Sequence, residues 1–404
     1  MSGLELLLNL PLPIITDILS RLPTKSIVQC RCVCKTWLKL LSEKEFATLH
    51  LSRSPMCLII NKLDFDSSSG SCFSLVELED EPGHHNLSVA GMKLILPCSC
   101  DEDGLTIVGT VNGLVCLNQR KYLHDAVYIW NPTLRESIAL PTPEGVRDYP
   151  NSISYGFGLS TKIGQYKVVR IFLELEKSSR RILKSICHVY ALGEGSWRVI
   201  GDCPYLNSCC SHGVFLNGNL HWLVADSNGS ELISCFDLEK ESFGPFPAPP
   251  ELSKDFYLTS FGLFGSYLSV CDNTSDFQIS IWVMKEYGIK NSWVLEFVID
   301  KWSADLHVLS CEIVRVLKVF RDGVILLLCR DDILLSYNST RETLHQFAVH
   351  KLIKSFDDRM NEDSSPDERY PRIEALEFVA SFLSLKDFAM EAVETKNKTG
   401  RHRC

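Results

Sequence analysis

Five turn dipeptides, Asn112-Gly113, Gly164-Gln165, Asn217-Gly218, Gly265-Ser266 and Asp322-Gly323, stand 52, 53, 48 and 57 residues apart. Each lies between two runs rich in Val, Ile, Leu, Phe and Tyr. Gly, Asn and Asp are the residues that tolerate the positive φ of a two-residue hairpin, so each dipeptide predicts a pair of antiparallel strands. A third strand is predicted after each turn, over 127–130, 187–191, 233–237, 279–283 and 334–337. A fourth follows over 137–140, 197–200, 242–246, 293–298 and 344–349. A four-stranded sheet cannot bury both faces alone, so five such units in series must stack on one another. The leftover ends, 56–61 with 73–78 before the first unit and 374–383 after the last, supply strands for a sixth. Joining them closes a ring and removes the exposed edge. The expected fold is mainly β with a small all-α N-terminal module: three helices, then a β-propeller-like domain of about six blades. A packed β-sandwich is the alternative.

The first fifty residues follow a different period. Ile14, Ile15, Ile18, Leu19 and Leu22 recur with helical spacing, and Pro11 falls near a helix start, where its missing N–H costs little. Pro23 ends that helix, Thr24 is placed to cap a second carrying Ile27 and Val28, and Val33, Trp37 and Leu41 predict one stripe of a third. Three helices in about forty residues leave apolar surface unburied, which marks a docking module.

Hydrophobic residues make up 45% of the 404 and charged ones 23%, near the globular average. Apolar runs such as 324–328 end at charged residues far short of a membrane span, and 6–8, preceded by Glu5 and followed by Pro11 and Pro13, is a poor signal peptide. Seventeen cysteines are therefore expected free, as small buried hydrophobes, in the cytoplasm or nucleus. The net charge of −9 argues against nucleic acid as partner. Residues 1–50 hold six Lys or Arg against four Asp or Glu, net +2, so the rest carries −11.

No catalytic constellation emerges. Cys30, Cys32 and Cys34 are two apart, so on a helix they share no face. Cys98 and Cys100 with Cys116 or His84 lack the paired spacing of a zinc site, and Cys209-Cys210 beside His212 lacks a supporting motif. Gly156-Phe157-Gly158 lies in a strand-like run and is no dinucleotide fingerprint. Neither metal nor cofactor is expected. His221-Trp222 and the recurring Trp130, Trp197, Trp282 and Trp293 read as packing between units.

The order Leu10-Pro11, Ile18-Leu19, Leu22-Pro23, Val33-Cys34-Lys35 and Trp37, closed by Phe46, resembles the F-box that docks the Skp-family adaptor of Skp-cullin-F-box ubiquitin ligases. The segments Asn112-Gly113-Leu114-Val115-Cys116, Trp130-Asn131-Pro132 with Arg135, Leu140-Pro141, Tyr166-Lys167-Val168-Val169 and Asn219-Leu220-His221-Trp222 resemble the F-box-associated domain of plant F-box proteins. The resemblance implies an F-box over 8–50, a target-binding β domain over 54–388 and a disordered basic tail over 389–404. It implies that Leu10, Pro11, Ile14, Ile18, Leu22, Pro23, Val33 and Trp37 face the adaptor or form the module's core. It implies a non-catalytic substrate receptor, with the adaptor, a cullin reached through it and an unidentified target protein as partners, and with no nucleic acid or membrane. An F-box protein working outside the ligase, a propeller reading a glycan or small ligand, and a hydrolase-like propeller enzyme are the alternatives. In a ring of blades the connections between units open on one end. Arg147, Asp148 and Tyr149, His212, and Asp255, Phe256 and Tyr257 lie on such connections and are the candidate target-binding residues. The acidic stretch 357–368 is expected to be a loop before the closing strand.

Overall fold

The computed structural model describes residues 10–63, 72–78, 87–94, 104–120, 125–143, 152–176, 182–201, 203, 212–224, 233–250, 252, 258–301, 312–329, 333–341, 343–347, 372–388 and 394–395. Four short helices come first: α1 (Leu12–Leu19), α2 (Thr24–Cys30), α3 (Lys35–Leu40) and α4 (Lys44–Leu51). The fourth is added to the three expected, and it carries Phe46. Pro23, not Thr24, stands at the cap of α2, where no side chain closes the helix end; the Cys34 thiol caps α3 by accepting from the Trp37 N–H at 3.4 Å.

Three strands follow, β1 (Met56–Leu63), β2 (Cys72–Leu78) and β3 (Leu87–Leu94). Then come five four-stranded blades. Blade I holds β4 (Leu105–Val111), β5 (Leu114–Arg120), β6 (Asp125–Asn131) and β7 (Glu136–Ala139). Blade II holds β8 (Ser152–Ser160), β9 (Gln165–Leu175), β10 (Ile182–Ala191) and β11 (Trp197–Gly201). Blade III holds β12 (Val214–Leu216), β13 (Asn219–Leu223), β14 (Ile233–Asp237) and β15 (Ser242–Phe246). Blade IV holds β16 (Thr259–Phe264), β17 (Tyr267–Asp272), β18 (Gln278–Met284) and β19 (Trp293–Asp300). Blade V holds β20 (Val314–Val319), β21 (Val324–Cys329), β22 (Ile333–Asn338) and β23 (Thr343–Phe347). Finally β24 (Arg372–Val379) pairs antiparallel with β1, in the order β24-β1-β2-β3, and completes a sixth blade from both ends of the chain. This is a six-bladed propeller. The expectation of a sixth blade stands, with β3 as a strand the sequence did not announce. Within 389–404, expected to be a disordered tail, β25 (Glu394–Thr395) pairs with the outer edge of β7. The acidic stretch 357–368 lies outside the described residues.

Alternation along each strand explains why the blades stack. On β5, Leu114 and Cys116 point into the wedge between blades I and II, while Val115 and Leu117 point into the wedge shared with the closing blade. Every pair of neighbouring blades shares one such apolar core, six in all around the ring. A sandwich would have one core between two sheets, so the alternative falls. The tryptophans belong to this packing. Trp130 and Trp222 are buried in wedges, and Trp197 and Trp293, each opening the fourth strand of its blade, donate their indole N–H to the carbonyls of Pro141 (2.6 Å) and Pro247 (2.9 Å) of the preceding blade.

The first strands of blades I to V and β24 are successive neighbours around the axis, so they line the centre. Because strands alternate in direction, connections between the first and second and between the third and fourth strands of a blade open on one end, here the turn face. Connections from second to third strand and from blade to blade open on the other, the loop face.

Candidate functional site

The helical module sits on the turn face and is completed by it. Ile15, Leu19, Ile27, Trp37, Leu40, Leu41, Phe46 and Ala47 form its core together with Phe382, a residue just past the ring's closing strand, and with Leu134 from the β6–β7 connection. Phe382 is fully buried, with ring centroids 6.2 Å from Phe46 and 5.0 Å from His50, and the Arg31 guanidinium lies 5.9 Å from its centroid. His50 is held by the Leu22 carbonyl at 3.3 Å and Ser54 Oγ at 2.8 Å; burial pushes its imidazole below the usual histidine range.

Blade I clamps the strand that presents Phe382. Asn131 Nδ2 donates to the carbonyls of Ser381 (3.2 Å) and Leu383 (2.7 Å), and the Glu136 carboxylate accepts from Ser384 Oγ (2.9 Å) and the Leu385 N–H (2.8 Å). Gly113, at φ +76° in its turn, passes so close that a Cβ there would lie 2.3 Å from Ser381 Cβ. The turn type and the close approach both require glycine at this position.

The eight adaptor candidates divide by burial. Trp37 is 5% exposed and belongs to the module's core, and Leu10 and Leu22 are half-buried against it. Pro11, Ile14, Ile18, Pro23 and Val33 are exposed, Ile14 at 47% and Val33 at 44%. Val33 precedes α3 and does not join the buried stripe predicted for it with Trp37 and Leu41, because the chain turns before the helix begins. Leu12 and Leu38, unnoticed in the sequence, are also exposed, as is Val28, which the sequence placed on the second helix without a role. The signal was there in α1: Ile15 and Leu19 make one i, i+4 stripe and Ile14 and Ile18 another, more apolar surface than one helix face can bury in a single core.

Of the target-binding candidates, His212 is described: it is half-buried, beside Gly213, whose N–H bonds the Tyr155 carbonyl at 2.7 Å and whose backbone bridges to Gly156 of β8. Arg147, Asp148, Tyr149, Asp255, Phe256 and Tyr257 lie outside the described residues. The described strand ends that flank them in the chain, those of β7, β8, β15 and β16, lie on the loop face, opposite the module.

Several charged groups inside the ring have structural partners. Arg170, fully buried, is paired with Asp125 (Nε to Oδ2, 3.6 Å) and stacks 5.1 Å from the Phe172 centroid, while Tyr155 donates to Asp125. Glu241 of blade III binds Arg198 (2.6 Å) and Lys167 (2.8 Å) of blade II, and these cations, Arg198 foremost, hold its carboxyl down to about 2. His221 bonds the Val214 carbonyl (3.0 Å) and Tyr287 Oη (2.8 Å), and burial takes its pKa down to about 4, so it is neutral at pH 7. Burial also pushes the thiols of Cys57 up to about 12 and Cys235 up to about 11, the opposite of an activated nucleophile. Among the described residues no three His, Cys, Asp or Glu are grouped to hold a metal, and no helix is long and apolar enough to cross a membrane.

A family model of the F-box associated beta propeller domain matches residues 71–383, and one of the F-box domain matches residues 7–48. The chain belongs to the F-box associated beta propeller family. An F-box/kelch-repeat protein of Arabidopsis thaliana is 27% identical over 80% of this chain and 88% of its own length. A second Arabidopsis F-box protein is 27% identical over 87% and 89%, and F-box protein CPR1 of the same plant 26% identical over 72% and 73%. TolB from Acinetobacter baumannii, a solved structure, aligns with a TM-score of 0.41 at 8% identity, covering 81% of this chain and 67% of that one, too weak a likeness to carry an argument. For an F-box propeller the geometry has a plain consequence. The module that completes its core on the turn face still exposes apolar side chains, while the described strand ends at which one blade gives way to the next lie at the opposite end.

Proposed function

We propose that this chain is the target-binding subunit of a Skp-cullin-F-box ubiquitin ligase, working in the cytoplasm or nucleus. The observation that carries the reading is the exposed apolar set Ile14, Ile18 and Val33 on a module whose core is already filled by Phe382. Apolar side chains left in water on a small helical module are accounted for by a partner that covers them, and the F-box match supports a Skp-type adaptor as that partner. The ring then holds a target protein on the loop face, away from the adaptor, within reach of a ubiquitin-conjugating enzyme recruited through the cullin. The role asks for no acid, base or nucleophile. It works by effective concentration, holding target lysines near a separately bound enzyme.

The test is capture of a Skp-family adaptor by the full chain, compared with Ile14→Glu and Val33→Glu. Both positions are exposed, so the variants should fold and melt like the wild type yet lose at least about tenfold in adaptor affinity. Failure of the wild type to capture the adaptor, or undiminished capture by both variants, overturns the reading.

A further inference from the structure

We propose that a hollow on blade IV, on the sheet face turned toward blade III, is a binding site for an arginine side chain of the target, an inference that rests on the ring being the target receptor. A cavity of about 160 Å³ opens there, lined by Asp272, Thr274, Ser275, Gln278, Ser280, Trp282 and Leu295. The β17–β18 connection joins second to third strand, which places the site on the loop face.

The argument comes from comparing two blades at one position. In blade II the sixth residue of the second strand, Arg170, faces the preceding blade between its cross-strand neighbours Tyr155 and His188. Large side chains fill that wedge, and Asp125 of blade I supplies the countercharge. In blade IV the sixth residue of the second strand is Asp272, between Thr259 and Ser280. The charge is inverted and the two neighbours are small, so this end of the blade IV face is left open. Below it, the same sheet face is apolar and packed, through Leu268, Val270 and Trp282.

The open position is chemically unfinished. Asp272 makes no ion pair among the described residues. Its Oδ1 is fixed by the Thr274 N–H (2.9 Å) and Oγ1 (2.7 Å), which leaves Oδ2 to accept from elsewhere. Thr259, 6% exposed and on the sheet face of its partner Asp272, has a hydroxyl with no hydrogen-bond partner. The nearby cation is Lys301, fully buried behind the connection, where its Nζ donates to the carbonyls of Ser275 and Asn273. Asp276 and Phe277, exposed in the connection that carries Thr274 and Ser275, and Asp300, exposed across from Gln278 on β19, add negative charge and an aromatic ring nearby. A guanidinium fits this inventory. It offers five N–H groups in one plane to a carboxylate, three hydroxyls and an amide, with an indole as floor, and it restores the arginine–aspartate pairing of blade II with the partners exchanged.

The experiment follows the tryptophan indole N–H signals of the full-length chain during titration with N-acetyl-Gly-Arg-Gly-amide and with its isosteric neutral counterpart carrying citrulline. The signal missing from Trp282→Phe should shift saturably with the arginine peptide and bind the citrulline peptide at least about tenfold more weakly. Asp272→Asn keeps the Oδ1 acceptor for Thr274 and should lose about the same factor. Ser280→Arg, which delivers a guanidinium from within, should raise the melting temperature and abolish the shift. No saturable shift, equal binding of the two peptides, or wild-type affinity in Asp272→Asn overturns the proposal, as does a Ser280→Arg chain that melts lower and still binds. Adaptor capture is measured on the same samples. A chain that captures adaptor but not arginine fails only the site, and one that binds arginine but not adaptor fails only the ligase reading.

Discussion

The helical module and the ring solve the same shortage of core in opposite ways. Each blade has two apolar faces and finds a neighbour for both, so once β24 pairs with β1 the ring is complete within itself. The module has four short helices and too little interior, so it takes Phe382 from the ring to finish. One stretch of chain, 372–388, serves both, closing the last blade with its first half and plugging the module with its second. The difference teaches that an apparently separate docking module is held as a rigid extension of the ring. Under the proposed role this shared core would keep adaptor and target at a fixed separation.

Phe382→Ala tests that dependence most severely. Deleting a buried ring side chain costs about 3–5 kcal/mol, and here the loss falls on the smaller partner. Amide exchange should accelerate across α1 to α4 while the blades stay protected; a uniform change, or none in the helices, would break the comparison. The next effect belongs to the ring alone. Glu241 has a folded pKa near 2, below its unfolded value of about 4.5, so its contribution is present above the unfolded pKa and is lost as the pH falls through that window. Glu241→Gln, which breaks the tie between blades II and III, should cost about 1–3 kcal/mol at pH 7 and flatten the acid limb of the melting curve, with the module's exchange unchanged. Smallest is Glu377 on β24, whose burial raises its carboxyl to about 7. The folded state then holds a proton the unfolded one has released, so this group's contribution to stability is greatest below about pH 4.5 and declines as the pH rises toward 7. Glu377→Gln should melt higher than the wild type at pH 8 and no higher at pH 4; an equal gain at both would show that the carboxyl does not titrate in the closing strand.

Much of the ring was legible because its signals are local. Asn112-Gly113 and Asn217-Gly218 both adopt positive φ at each residue, as hairpins of that composition should, and the strands around them fell where their β-branched and aromatic runs predicted. β3 escaped because Gly91 and Lys93 interrupt the apolar alternation of Leu87–Leu94. In the module, the motif residues could be named but not sorted. Whether Trp37 or Val33 faces inward depends on where α3 begins and on what the ring brings to it, and neither is written in the residues themselves. The charge inversion at Arg170 and Asp272 was equally hidden, since the two hairpin loops differ in length and only the strand pairings put the residues in register.

By itself the sequence determined a helical docking module followed by five four-stranded units and end strands that close a sixth, because turn chemistry and hydrophobic period act between residues close along the chain. The tertiary structure decided which apolar side chains are consumed and which are left for a partner. Those decisions turn on contacts between residues hundreds apart, Phe46 with Phe382 and Gly113 with Ser381, and on which blade lies against which. Burial is a property of the assembled surface and not of any segment that contributes to it.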